Sequence, residues 1–129
     1  ANLNLGKNDE GIRDFSEAIR LDPKYALAYY NRGAVYIEHD KYEEGIRDSS
    51  EAIRLNPKYA EAYCNRGAAY ANLGKYDEAI PDCSEAIRLD PDLAVSYYIR
   101  GVCYEEKGDS DKAKADFEMA KKLGFSPPE

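Results

Sequence analysis

The stretch SEAIRL fills residues 16–21, returns at 50–55 and returns again at 84–89, each copy 34 residues after the last. A fixed period of this length marks a stacked supersecondary unit, because one such unit cannot bury its apolar face alone and needs a neighbour. Laying residues 26–59 over 60–93 gives 20 identities in 34. Residues 94–127 keep the same frame through Tyr97, Arg100, Gly101, Tyr104, Gly108, Ala113, Phe117, Ala120 and Leu123. Three full copies therefore follow a truncated one at residues 1–25, and the whole of 1–129 is expected to form one domain.

Within a copy the apolar spacing is that of two helices. In the first full copy one helix is expected from Ala26 to about Asp40 and a second from Tyr42 to Leu55. Leu-Asp-Pro or Leu-Asn-Pro, at Pro23, Pro57 and Pro91, separates the copies, since proline disfavours helical geometry in the residue before it. Gly6, Gly74 and Gly108 are expected to turn the chain between the helices of a pair, and Asp109 or Ser110 to cap the last helix. Gly33, Gly67 and Gly101 lie inside first helices, where glycine costs about 1 kcal/mol against alanine. Small residues also recur in the second helices, at Gly11, Gly45, Ala79 and Ala113, so the two backbones of a pair can approach closely. Pro81, early in its helix, is expected to bend it only slightly.

Net charge of -7, from 18 basic and 25 acidic side chains, disfavours nonspecific attraction to nucleic acid or to an anionic membrane. No apolar run is long enough to span a bilayer, so no membrane insertion is expected. Cys64, Cys83 and Cys103 are odd in number and contain no Cys-x-x-Cys pair, which points to free thiols and a reducing, cytoplasmic setting. The start at Ala1, without an initiator methionine, is expected to be a truncation. His39 is the only histidine and is read as a surface residue, so no metal site and no cofactor are expected. No nucleophile motif or phosphate-binding loop occurs, and a non-enzymatic role follows.

The recurring pattern resembles that of the tetratricopeptide repeat family. Tyr29, Gly33, Tyr36, Ala52 and Pro57 fill its characteristic positions in one copy, and Tyr63, Gly67, Tyr70, Ala79, Ala86 and Pro91 in the next. The resemblance implies an all-α solenoid, a right-handed superhelix of antiparallel helix pairs with seven helices. First helices would line a concave face that binds a segment of a partner protein. Gly11 and Gly45 stand where the family has alanine, Ser49 and Cys83 where it has an aromatic, and Phe125 where it has the last proline.

The resemblance assigns the groove to six positions of each first helix. These are Leu27, Tyr30, Asn31, Ala34, Ile37 and Glu38; then Glu61, Cys64, Asn65, Ala68, Ala71 and Asn72; then Val95, Tyr98, Ile99, Val102, Glu105 and Glu106. Tyr30 and Tyr98 are expected to flank a floor of Cys64, Ala68 and Ala71, a hollow for one apolar side chain, with Cys64 the most accessible thiol. Four glutamates and no lysine or arginine on these positions favour a neutral or basic peptide. Family members that clamp acidic chaperone tails use basic residues and asparagine where this chain has Tyr30, Ala34, Asn65, Val95 and Ile99, and only Asn65 fits. The other tyrosines at the repeat's packing positions are read as core. Arg32, Arg66 and Arg100 recur in register with Asp14, Asp48, Asp82 and Asp116, and each arginine is expected to pair with an aspartate of its own or the preceding copy. Self-association through the unpaired N-terminal helix and the C-terminal helix is the alternative to peptide capture.

Overall fold

Each copy folds into a helical hairpin because glycine, proline and short acidic side chains stop the helices at fixed places. The computed structural model describes residues 2–127, with side chains from Asp9 onward. It contains α1 (Asn2–Leu21), α2 (Ala26–Glu38), α3 (Tyr42–Leu55), α4 (Ala60–Asn72), α5 (Tyr76–Leu89), α6 (Ala94–Glu106) and α7 (Ser110–Lys122), and no strand among the described residues. Between copies, the backbone N–H of Lys24, Lys58 and Asp92 donates to the side chain of Asp22, Asn56 and Asp90, at 3.1, 3.2 and 3.1 Å, closing an Asx turn around each proline. Inside the hairpins the left-handed residue is Gly74 in one (φ 75°) and Gly108 in another (φ 85°), while Asp40 takes the same place at φ 61°. Asp109 caps α7 by accepting from the Lys112 N–H.

The turn expected at Gly6 is not formed, and α1 is helical from Asn2. Continuing the existing helix satisfies backbone groups that a turn would leave open. Pro81 lies within an α5 of 14 residues, the same length as α3, so it does not break the helix.

The hairpins are α2–α3, α4–α5 and α6–α7, and each following first helix packs on the preceding second helix, from α1 against α2 onward. First helices α2, α4 and α6 also touch in succession, whereas among the described residues the second helices do not touch one another. Helices crowd together on the inside of a curve, so the first helices form the concave wall. The fold is an all-α solenoid.

Its buried centre is made of small residues. Ala52, Ala62, Ala69, Ala79, Ala86, Cys83 and Cys103 are fully covered, and the largest fully buried side chains are Cys83, Cys103, Ser49 and Ser96. The tyrosines read as core, Tyr29, Tyr36, Tyr42, Tyr63, Tyr70, Tyr76, Tyr97 and Tyr104, are only half-buried. A rod two helices thick covers one side of a large ring while the phenol end reaches water. Close approach explains the small centre. A methyl group added at Gly33 would sit 3.1 Å from Cβ of Asp48 and 3.3 Å from the Gly45 carbonyl; at Gly67 it would meet the Cys83 sulfur at 3.0 Å, and at Gly101 the Phe117 ring at 2.8 Å.

Ile37 departs from its expected place in the groove. Its side chain turns into the hairpin and occupies the space that a methyl group on Gly45 would need. The next hairpin carries alanine at both corresponding positions, Ala71 and Ala79, so the glycine at 45 compensates for the isoleucine at 37. Gly45→Ala should therefore destabilise the protein by about 1 kcal/mol, crowding outweighing helix propensity. In an Ile37→Ala background the same change should stabilise it by about 1 kcal/mol. Denaturant midpoints of the four proteins in this cycle measure the change of sign.

Candidate functional site

The inner wall is held in shape by three identical clasps. Arg32, Arg66 and Arg100 each donate through Nε and Nη2 to both carboxylate oxygens of Asp48, Asp82 and Asp116, at 2.7 to 2.8 Å. The remaining Nη1 of each reaches back to the hydroxyl of Ser16, Ser50 or Ser84 in the preceding second helix, at 3.0, 3.2 and 3.2 Å. Each guanidinium also lies over the ring of Tyr29, Tyr63 or Tyr97, 5.6 to 5.7 Å from its centre. Bonding to the aspartate pushes the arginine pKa values further up, so these charges are permanent. The arginines are thus spent inside the scaffold rather than offered to a ligand. Asp14 differs from its three counterparts: it is exposed and none of these arginines reaches it. Among the described residues no first helix stands opposite it to carry one.

Six expected lining residues come together in one place. Ala68, Ala71 and Asn72 of α4 face Tyr98, Ile99 and Val102 of α6 around an open hollow of about 250 Å³. Alanines on one helix leave the space and larger side chains on the next wall it. Asn72 donates to its own Ala68 carbonyl at 2.8 Å, which fixes its amide at the rim. Leu27 is exposed, Asn31, Ala34 and Val95 are half-buried, and Glu38, Glu61 and Glu106 are exposed along the wall. Glu105 turns aside, lining a cleft with Ala113 and Phe117 of α7 rather than the hollow.

Tyr30 and Cys64 do not line that hollow. Tyr30 stacks on Tyr59 with ring centres 4.9 Å apart, and burial, with Glu61 nearby, pushes its phenol pKa up while Asn65 beside it pulls the other way. Tyr59 is pushed up to about 12 for the same chief reason, burial. Cys64 is the least covered of the three thiols yet only 4% exposed, because this position packs against the next first helix, where Ser96 lies beside it. All three cysteines are free and buried. Burial pushes the thiol of Cys64 up, that of Cys103 up to about 11, and that of Cys83 far up, with its two neighbouring thiols adding to the effect. His39 is half-buried rather than on the surface, and its Nε2 is enclosed without a hydrogen-bond partner.

A second cleft, of about 460 Å³, lies at the far side of Tyr98 and escaped sequence reasoning. It is walled by Phe117 and Ala120 of α7 and by Phe125, Ser126 and Pro127 of the tail, with Lys121 at its edge. Phe125 folds back because its N–H donates to the Ala120 carbonyl at 2.9 Å after left-handed Gly124. Its ring then rests 4.8 Å from that of Tyr98. The one available signal was that Phe125 replaces a proline of the repeat pattern. No group of three or more metal-ligating side chains occurs among the described residues. No helix there is long and apolar enough to cross a membrane.

Comparison with known proteins agrees with this geometry. A TPR repeat model matches residues 3–40 and 35–74, and two tetratricopeptide repeat models match 60–93 and 83–115. The chain belongs to the tetratricopeptide repeat (TPR) family. It is 40% identical over 38 residues to Tetratricopeptide repeat protein 6 of Homo sapiens, a match that spans 30% of this chain and 7% of that protein. A crystal structure of MamA superposes with a TM-score of 0.84 at 30% identity, covering 94% of this chain and 71% of MamA. The second TPR domain of Spaghetti (RPAP3), bound to the HSP90 peptide SRMEEVD, superposes with a TM-score of 0.75 at 32% identity, covering 83% of this chain and 98% of that one. This TPR architecture is that of a protein-interaction scaffold.

Two measurements check the wall. Arg66→Ala leaves the buried Asp82 carboxylate without its partner and should cost about 3 kcal/mol. Arg54→Ala, which removes only the exposed pair with Glu51, should leave the denaturation midpoint unchanged. Because their pKa values are raised, all three cysteines stay protonated and shielded at pH 8. An aromatic disulfide reagent should find no fast thiol in the native protein and all three after unfolding in guanidinium.

Proposed function

We propose that this TPR chain is a non-catalytic scaffold whose concave face binds an extended, neutral or basic segment of a partner protein. The observation that carries the reading is the hollow between α4 and α6, whose size suits one apolar side chain. Beyond Tyr98, the cleft closed by Phe125 would take a second apolar side chain of the same segment. Glu38, Glu61 and Glu106 supply negative potential along the path, and the wall's own arginines are neutralised by their aspartates. The half-buried amides of Asn31 and Asn65 would bond the peptide backbone, which needs a donor and an acceptor together. In this reading residues 1–129 act as one domain, divided after residues 25, 59 and 93, in a reducing cytoplasmic setting that keeps the three thiols free.

The RPAP3 domain carries an acidic peptide, SRMEEVD. Transferred to this groove, that peptide would bring carboxylates toward glutamates. Fluorescence anisotropy with labelled SRMEEVD should show no saturable binding, whereas the same heptapeptide with its three acidic residues replaced by lysine should bind and weaken as salt rises. Glu61→Lys with Glu106→Lys should reduce that affinity about tenfold without changing helicity. Equal affinity for the two peptides, or no effect of the charge reversals, contradicts the proposal.

A further inference from the structure

The concave wall changes its chemistry from one joint of the array to the next. Where α4 meets α2 it carries Tyr30, Tyr59, Glu61 and Asn65. At the same four places one copy later, where α6 meets α4, stand Cys64, Leu93, Val95 and Ile99. An aromatic, acidic corner has become a wholly apolar one. Tyr30 and Tyr59 stack with ring centres 4.9 Å apart and planes inclined by 28°, and both rings are half-buried rather than sealed. Glu61 is exposed, stands near both phenols and enters no salt bridge among the described residues. Asn65 lies beside Tyr30.

The interior shows three times what such a set of groups holds. Arg66 lies over the Tyr63 ring, forks onto Asp82 through two hydrogen bonds of 2.8 Å and donates its remaining nitrogen to the Ser50 hydroxyl at 3.2 Å. The corner offers the same kinds of partner, tyrosine rings, a carboxylate and a neutral acceptor in the Asn65 amide carbonyl, but holds no guanidinium. The arginines of its two helices, Arg32 and Arg66, are committed to Asp48 and Asp82. Two nearly parallel rings make a flat platform, which suits a planar cation; a quaternary ammonium calls for rings that box it in.

Resting on the groove reading above, we propose that Tyr30, Tyr59, Glu61 and Asn65 form an arginine subsite for the bound segment. The guanidinium lies on the tyrosine platform and forks onto Glu61, the Asn65 carbonyl accepts from its remaining nitrogen, and the Asn65 NH2 is left for the peptide backbone. Lysine does not fit, because an ammonium is a strongly hydrated point charge that neither lies flat on a ring nor forks onto a carboxylate. The hollow that takes the apolar side chain lies one first-helix spacing away, about 10 Å. It also lies about two turns further along α4, since Asn65 and Asn72 are seven residues apart. The diagonal is about 14 Å, which about four residues of extended chain span. The segment therefore carries an arginine and, about four residues from it, an apolar side chain.

The test uses the chain 1–129 and three labelled peptides of equal net charge. SRMKKVK, the lysine-substituted form of SRMEEVD, has its arginine four residues from its valine. SKMKKVK loses only the guanidinium, and SKMKRVK keeps the composition of SRMKKVK but moves the arginine beside the valine. Anisotropy titrations should show both variants binding about fivefold more weakly than SRMKKVK. Glu61→Gln should remove the preference, so that SRMKKVK binds no better than SKMKKVK, whereas Glu106→Gln, an equal loss of charge, should keep it. Tyr59→Leu places in one copy the residue that the next copy already carries, and should also remove the preference without changing helicity. Saturable but equal binding of SRMKKVK and SKMKKVK overturns the arginine subsite and leaves the groove reading standing; binding of neither peptide overturns both. A preference for arginine that survives Glu61→Gln and Tyr59→Leu also overturns the subsite, because the guanidinium would then be recognised elsewhere on the wall.

Discussion

The architecture rests on one short distance, the approach of each first helix to the carbonyl and side chains of its mate at Gly33, Gly67 and Gly101. With no Cβ on one side, two backbones lie close enough that alanine, serine and cysteine fill what remains between them. The consequence runs outward. A thin core leaves large tyrosines half-buried at its edges, where their rings support the guanidinium groups that tie one hairpin to the next. The groove inherits its shape from the same constraint, since the spacing of α4 and α6 is fixed behind it before any ligand arrives.

Much of this was legible because it is periodic. The letters of SEAIRL each have a place: serine accepts from the next arginine, glutamate and arginine pair on the exposed face, and alanine is sealed inside. The helix boundaries followed from proline and glycine, and the arginine–aspartate pairs from opposite charges recurring in step. What periodicity cannot reveal is compensation inside a single copy. Ile37 and Gly45 fit because one gives up the volume that the other takes, and neither residue alone announces it. Cys64 is covered because the next copy brings its own first helix against that position, a property of the neighbour rather than of the cysteine. Phe125 departs from the repeat pattern, and its return onto Tyr98 depends on a local turn at Gly124. At Gly6 the reverse occurred: the sequence carried the mark of a turn, but α1 runs straight through it.

The concave wall is therefore more selective than its composition suggests. Of eighteen positions that the family pattern would place there, Ile37 and Glu105 face their own second helices and Cys64 is sealed. The open space is concentrated between α4 and α6 and continues past Tyr98 to the tail, so one aromatic ring stands between two apolar recesses. A scaffold of this kind discriminates less by its number of contacts than by where it has room, and the small residues at 68 and 71 decide that.

The three-way reach of each arginine has a mechanical meaning. One guanidinium joins its own hairpin to the helix before it, so pulling two hairpins apart must break the arginine's hydrogen bond to the serine hydroxyl across the joint. Identical fastenings at successive joints give the rod nearly uniform stiffness, and a load applied at one tip is shared along its length instead of opening the weakest seam.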